Sequence, residues 1–546
     1  MRSSFHKILA LLLAVGMAVS LAACGRDRGN NSDEIGESTG GKDLVRAEAA
    51  DHVFSMNKNP NYSLNPFIAT NHSNQLVDCL VYENMVEIDN DFNVIPNVIS
   101  SWSCNDDATL WTLVLDTETP HTFSDGEPMS GRDLVYSIGN AIYNDHYRGR
   151  FSSFQGASYT EEGMQVSLGI GDSQFIKLLN IPVIKLGTYD QGGGVPPIGS
   201  GPYMFNEDYT ELLPNPNYPN YKKLPVDTIY LTEMTDAESA LTAFEDGTID
   251  VVINDPSSYT SLGYASSNEI HNYATTNMHY LMFNEESTLG KQNVFRVAMQ
   301  YAFDRDYLVD LLGGNAEPSA VPLYPTVSYY PTELANALHY NLDTCKAILS
   351  SAGVSDWDDD GKLEMMSGNV QEIELHLIVC ADSSAKAGIC NRFANDMKSL
   401  GLNVVVHELT WSDFLLALEE GSLEVAGRTV VWDMYYGEVK LRNNFDLTEL
   451  LQVRNEDNER SNLNYSRSRD TTYETRIRNY LSAPSEAMRK SFYYDLCDYL
   501  TRTSGDLITI GFEKQQIITR RGVVKGLDAN MGNPLYDFAN WTIDLS

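Results

Sequence analysis

The sequence predicts an α/β protein of more than one domain, and three observations carry that prediction. Strand-like and helix-like segments alternate along the chain, as in residues 228–253, where two apolar runs flank a helical one. Glycines stand where helical periodicity stops. The chain has 546 residues, 42% of them hydrophobic, which is material for two or three packed cores.

The elements follow in order. Residues 1–24 read as a leader outside the fold. Arg2 and Lys7 give a positive start, residues 8–23 are apolar or small, and a polar segment follows. The run is shorter than the roughly 20 residues of a spanning helix, so it reads as a secretory signal. It ends in LAACG at 21–25, similar to a bacterial lipobox, which makes Cys24 the expected site of lipidation. Residues 25–43 are mostly Gly, Asn, Ser, Asp and Glu and read as a disordered tether. From residue 44 the chain is globular. Residues 111–115 (WTLVL), 228–232 (TIYLT) and 249–253 (IDVVI) read as strands. Residues 236–246 read as a helix stopped by Gly247. Residues 293–312 read as one amphipathic helix stopped by Gly313 and Gly314, and 342–352 as another stopped by Gly353. A strand at 372–379, a helix at 384–400 stopped by Gly401, and a strand at 402–406 complete a β-α-β succession.

Composition narrows the function. Acidic residues number 75 against 38 basic ones, for a formal net charge of −37. Binding nucleic acid requires Lys and Arg to neutralise phosphates, so that class is excluded, as is charge-driven adsorption to an anionic membrane. The acidity reads as solubility first and as a preference for cationic ligands second. Six cysteines besides Cys24 are scattered without a C-x-x-C pair, so neither zinc nor a disulfide scheme is indicated. The chain lacks G-x-S-x-G, H-E-x-x-H and the phosphate-cradling G-x-x-x-x-G-K-[ST] motif, and no cofactor or catalytic residue is expected. His72, His121 and His407 have no Cys or His near them in sequence. Asp356, Asp358 and Asp360, followed by Gly361, match the first half of a calcium loop, with Glu364 at position nine. Position twelve is Ser367 where a bidentate Glu is required, so an Asp- and Gly-rich turn is the preferred reading and calcium the second.

Several motifs share one order and spacing. They are SLNP at 63–66, VYENMVEI at 81–88, Trp102 with Ser103, DDAT at 106–109 and FSDGEP at 123–128. GSGPY at 199–203, NPNY at 215–218, EDGTID at 245–250 and RVAMQYAFDR at 296–305 follow. Together they resemble the bacterial extracellular solute-binding proteins of family 5, the peptide and nickel type serving ABC importers. The resemblance runs from about residue 63 to the end.

The resemblance implies a two-lobed periplasmic-binding-protein-like α/β fold, type II and of the large class. Lobe I would comprise residues 44–82, 199–283 and 509–546, an inserted subdomain residues 83–198, and lobe II residues 284–508. It implies a lipid-anchored component of an ABC importer on the outer face of the cell membrane. The partners would be the permease subunits and an oligopeptide or similar polar solute, held between the lobes by hinge closure. No nucleic acid is implied, the membrane is met only through the anchor, and the habit of the family is a monomer. The alternatives are a receptor presenting its ligand to a membrane sensor, and a surface peptide or glycan hydrolase.

By the same resemblance, the ligand would meet Ala69, Thr70 and Asn71, then Trp411, and then Trp432, Asp433, Tyr435 and Tyr436 in VVWDMYY at 430–436. Peptide binders of the family read W-x-x-D-Y there, the Asp holding the peptide amine. This chain has Tyr435 at that position. Alternation along a strand would put Asp433 on the same face as Tyr435, so Asp433 either takes that role or is a solvated strand-end acid. Each aromatic either faces ligand or packs in a core.

Overall fold

The computed structural model describes residues 52–258, 261–262, 265–367, 369–453 and 463–546. The expected leader, Cys24 and the tether at 25–43 lie outside the described residues.

Residues whose apolar side chains alternate become strands with one face buried. In Leu110–Leu115, Trp111 and Leu113 are buried while Leu110 is exposed. That strand joins Ile99–Cys104, Gly163–Leu168 and Phe154–Tyr159 in an antiparallel sheet of four. Helix Gly131–Ala141 contributes Leu134 and Ile138 to the core beneath this sheet. A second four-stranded sheet runs Phe54–Lys58, Ile229–Glu233, Glu211–Pro214 and Tyr203–Phe205, with its first pair parallel from Phe54 opposite Ile229. The expected helix after Ile229–Glu233 is Ala237–Asp246. Its Asp236 side chain accepts from Ser239 N–H, and Gly247 closes it at φ +91°, a conformation open to glycine.

The largest sheet is mixed. Its order is Val251–Asn254, Leu507–Arg520, Asn268–Phe283, Met434–Lys440, Glu374–Cys380 and Asn403–Leu409, with Ala316–Pro318 also pairing on Leu507–Arg520. The β-α-β unit read from the sequence is present. Glu374–Cys380 and Asn403–Leu409 are parallel from Glu374 opposite Asn403 to Cys380 opposite Leu409, joined by helix Ser384–Ser399.

The buried residues form separate cores. One core gathers Phe54, Leu76, Leu113, Ile138, Tyr203, Ile229 and Trp541, and reaches Tyr273 and Ile517 on the two longest strands. Two others gather Tyr280, Trp432, Tyr435 and Phe512, and Leu281, Phe295, Phe393 and Ile508. The strands Asn268–Phe283 and Leu507–Arg520 therefore begin in one core and end in another. They pair antiparallel from Asn268 opposite Arg520 to Met282 opposite Leu507, with the register shifting between Ala274 and Met278. A shift of register bends and twists a ladder locally.

One element departs from expectation. Residues 293–312 form two helices, Asn293–Met299 and Asp306–Leu311, rather than one. The reason is polar. Arg305 is buried and donates through Nε to Thr509 O (2.8 Å) and through Nη1 to Leu338 O (3.0 Å). Gln300 donates to Leu507 O (3.0 Å), and Arg296 Nε lies 2.7 Å from an Asp506 carboxylate oxygen. Docking all three side chains on 506–509 breaks the helix between them. A buried guanidinium left without acceptors would cost more than the lost helical bonds.

All six cysteines among the described residues are unpaired. No helix among the described residues is long and apolar enough to cross a membrane.

Candidate functional site

The residues expected at the ligand occupy several different environments. Ala69 is buried, and its carbonyl accepts from Gln75 Nε2 (2.9 Å). Thr70 is exposed. Asn71 caps helix His72–Val81, accepting from Ser73 N–H (2.9 Å) and Asn74 N–H (3.3 Å). Trp411 opens helix Trp411–Glu420 and is 60% exposed. Trp432 is 0% exposed, donating Nε1–H to Ala417 O (2.7 Å) and meeting the Tyr435 ring edge-to-face at 5.6 Å. Tyr435 and Tyr436 enter different cores from successive positions, and Tyr436 Oη lies 2.9 Å from His279 Nδ1.

Asp433 differs from the sequence reading in one respect. The strand Met434–Lys440 starts after it, so Asp433 and Tyr435 do not share a strand face. Its carboxylate is buried and accepts the His376 N–H (2.9 Å), tying the segment to the neighbouring strand. Burial raises its carboxyl above the ordinary aspartate range. The aromatics Trp432, Tyr435 and Tyr436 are core residues in this structure. His407, isolated in sequence, lies 3.0 Å from His376 Nδ1 through its Nε2.

A cavity of ≈ 250 Å³ opens elsewhere. Helix His72–Val81 lines it with His72, Gln75 and Asp78; the short helix Asp145–Arg148 adds His146 and Tyr147. The long strand lines it with Tyr273–Asn277, just where the register shifts, and Lys440 and Asn443 line it from the second side. Lys440 ends the strand Met434–Lys440 and pairs with Asn277. None of the eight sequence-expected ligand residues lines this cavity; Asn71 adjoins it through His72.

Its electrostatics are positive. Arg150 donates to Asn180 O (2.9 Å) and sits 4.9 Å from the Tyr147 ring centre. Neither Arg150 nor Lys440 forms an ion pair among the described residues. Lys440 is exposed to solvent and Arg150 half-buried, yet the protein packed around the cavity lowers the Lys440 ammonium to about 8, with Arg150 adding to the effect, and lowers Arg150 as well. His146 is driven down to about 3, first by burial, then by Arg150, Lys440 and His72. His72 is lowered by burial and then by Lys440. Burial pushes the Asp78 carboxyl well above its ordinary range, and neither of its oxygens has a hydrogen-bond partner among the described residues. Near neutral pH the cavity thus offers two cations, two neutral imidazoles and a carboxyl that favours its protonated form. Such a set holds an anionic group and a few polar donors or acceptors. The sequence marks His72 only as a histidine without Cys or His neighbours, and no local pattern points to Arg150 or Lys440.

The family described as bacterial extracellular solute-binding proteins, family 5 middle, matches residues 93–447. This chain belongs to that family. Among family 5 relatives, it is 21% identical over 454 residues to the oligopeptide-binding protein AppA of Bacillus subtilis (strain 168), covering 78% of this chain and 80% of AppA. It is 24% identical over 394 residues to the nickel-binding periplasmic protein of Escherichia coli (strain K12), covering 66% of this chain and 72% of that protein. The fold is similar to that of the ABC transporter substrate-binding protein CtaP of Listeria monocytogenes. The TM-score is 0.69 at 16% identity, covering 91% of this chain and 100% of the other. The family 5 assignment carries the two-lobed α/β fold with it, and the relatives are solute-binding proteins.

Proposed function

We propose that this chain is the extracytoplasmic substrate-binding component of an ABC importer, anchored through lipidated Cys24, and that it takes an oligopeptide or similar polar solute bearing a carboxylate. The lobes would follow the boundaries given by the family resemblance, and the permease subunits would be the protein partners of a monomer. One observation carries the ligand class. Arg150 and Lys440 meet in the cavity beside the two strands that link the cores, without a carboxylate paired to either among the described residues. Lys440 is exposed to solvent and Arg150 half-buried, and two like charges side by side repel unless an anion joins them. A ligand carboxylate fills that role only when both sides of the cavity contact it, which ties binding to lobe closure.

Calorimetry on the purified mature chain tests this. Short peptides with a free C-terminal carboxylate should bind, and their C-terminally amidated forms should bind more weakly. Lys440→Met should cost about 1.5–3 kcal/mol of binding, on the order of 10- to 100-fold in affinity. Equal affinity for free and amidated peptides would remove the carboxylate from the proposal. Mass spectrometry of ligand that copurifies should find an anionic solute.

A further inference from the structure

We propose that the loop at residues 356–364 is a calcium site, held by Asp356, Asp358, Asp360 and Glu364 and separate from the ligand cavity. Carboxylate oxygens of these four residues lie within 4.8 Å of one another. Opposite oxygens of a calcium shell, each about 2.4 Å from the ion, stand about that far apart. Four carboxylates this close repel one another, and the cation paired with them among the described residues is Lys362. Its ammonium is 3.5 Å from Asp360 and is shared with Glu372 at 2.6 Å.

Glu364 is the observation that points to an ion. Its side chain comes from the strand Glu364–Ser367, is only 2% exposed, and is aimed into the three exposed aspartates. One oxygen accepts the Trp357 N–H (2.7 Å). The other has no hydrogen-bond partner among the described residues. A buried carboxylate oxygen with neither donor nor cation is among the costlier things a fold can hold. Calcium would satisfy it and relieve the repulsion together.

The spacing supports the same ion. Counting Asp356 as position one, Asp358 and Asp360 fall at three and five, Gly361 at six, the Lys362 carbonyl at seven and Glu364 at nine. Gly361 takes φ +88°, as the sharp turn at position six demands. The all-oxygen set excludes ions that favour nitrogen or sulfur, and magnesium prefers to keep several waters rather than enter a protein cage. With no bidentate Glu at position twelve the site is incomplete. Its affinity should therefore fall in the weak range of extracellular modules, about 10⁻⁴–10⁻³ M.

Trp357, inside the loop and half exposed, supplies a reporter. Terbium bound here would luminesce on excitation of that indole. The test uses the mature chain stripped with EDTA. Terbium should give sensitised emission that millimolar calcium quenches by displacement, and calcium should raise the midpoint of thermal unfolding more than equal magnesium does. Asp358→Asn, at an exposed position that folding tolerates, should lose both responses. Trp357→Phe should lose the emission and keep the thermal shift. Absence of both responses in the parent chain up to 10 mM calcium would overturn the site. Responses undiminished in Asp358→Asn would also overturn it, assigning the binding to the acidic surface at large.

Discussion

Lys440 shows how one residue can run against the character of its chain. Acidic residues outnumber basic ones 75 to 38, yet this ammonium faces Arg150 rather than a carboxylate. The protein packed around the cavity and that neighbour hold its pKa near 8, so it is charged at neutral pH and loses its proton as pH rises through that value. Binding of an anionic ligand should therefore weaken between about pH 8 and 9. A titration that stays flat across that interval would take Lys440 out of the site. Glu87 bears on stability instead. Burial raises its carboxyl from 4.5 to about 8, although Asn84 and Asn180 donate to it. Between those values the folded state binds more protons than the unfolded state, so stability falls as pH rises from about 4.5 to 8. In Glu87→Gln that portion of the pH dependence should vanish. Urea midpoints at pH 5 and pH 8 that move in parallel in the two proteins would contradict it.

At the scale of elements, two groups of residues decide the geometry. The first is the pair of strands Asn268–Phe283 and Leu507–Arg520, whose register shift falls at Thr275 and Thr276, where the cavity lies. A register shift bends and twists a ladder locally, and the cavity lies beside this one. The second is the segment 428–440. The strand Arg428–Val431 ends, Trp432 drops into a core, Asp433 ties to His376, and Met434–Lys440 begins. Replacing Trp432 by Ala should cost about 3–5 kcal/mol of stability, as truncation of a buried aromatic does. Urea unfolding measures this directly. A variant of unchanged stability with impaired ligand affinity would instead make Trp432 a ligand residue.

At the scale of the molecule, the cavity draws on both sides of a pair of connecting strands. A ligand that touches both sides stabilises the closed arrangement by its differential contacts alone. Small-angle scattering of the mature chain should show a smaller radius of gyration with a bound carboxylate peptide than without. The Lys440→Met variant should need more peptide to reach the same value. An unchanged radius at saturating peptide would rule out closure as the response to binding. The high negative charge favours solubility and leaves the positive cavity as a local exception.

Much of this was legible without coordinates, for local reasons. Helices such as Ala237–Asp246 and Ser384–Ser399 appear from periodicity and a terminal glycine, both carried by neighbouring residues. The helix expected at 293–312 broke because Arg296, Gln300 and Arg305 bind acceptors more than two hundred residues away. The calcium motif was visible as three aspartates and a glycine, but the burial of Glu364 was not. By itself, the sequence determined the α/β class, the order of elements and the family, because motif order and periodicity are properties of the linear chain. Only the tertiary structure decided that Trp432 packs inward and that Arg150 and Lys440 share a cavity. Burial and the meeting of like charges depend on which distant segments the sheets bring together, and no local spacing encodes that.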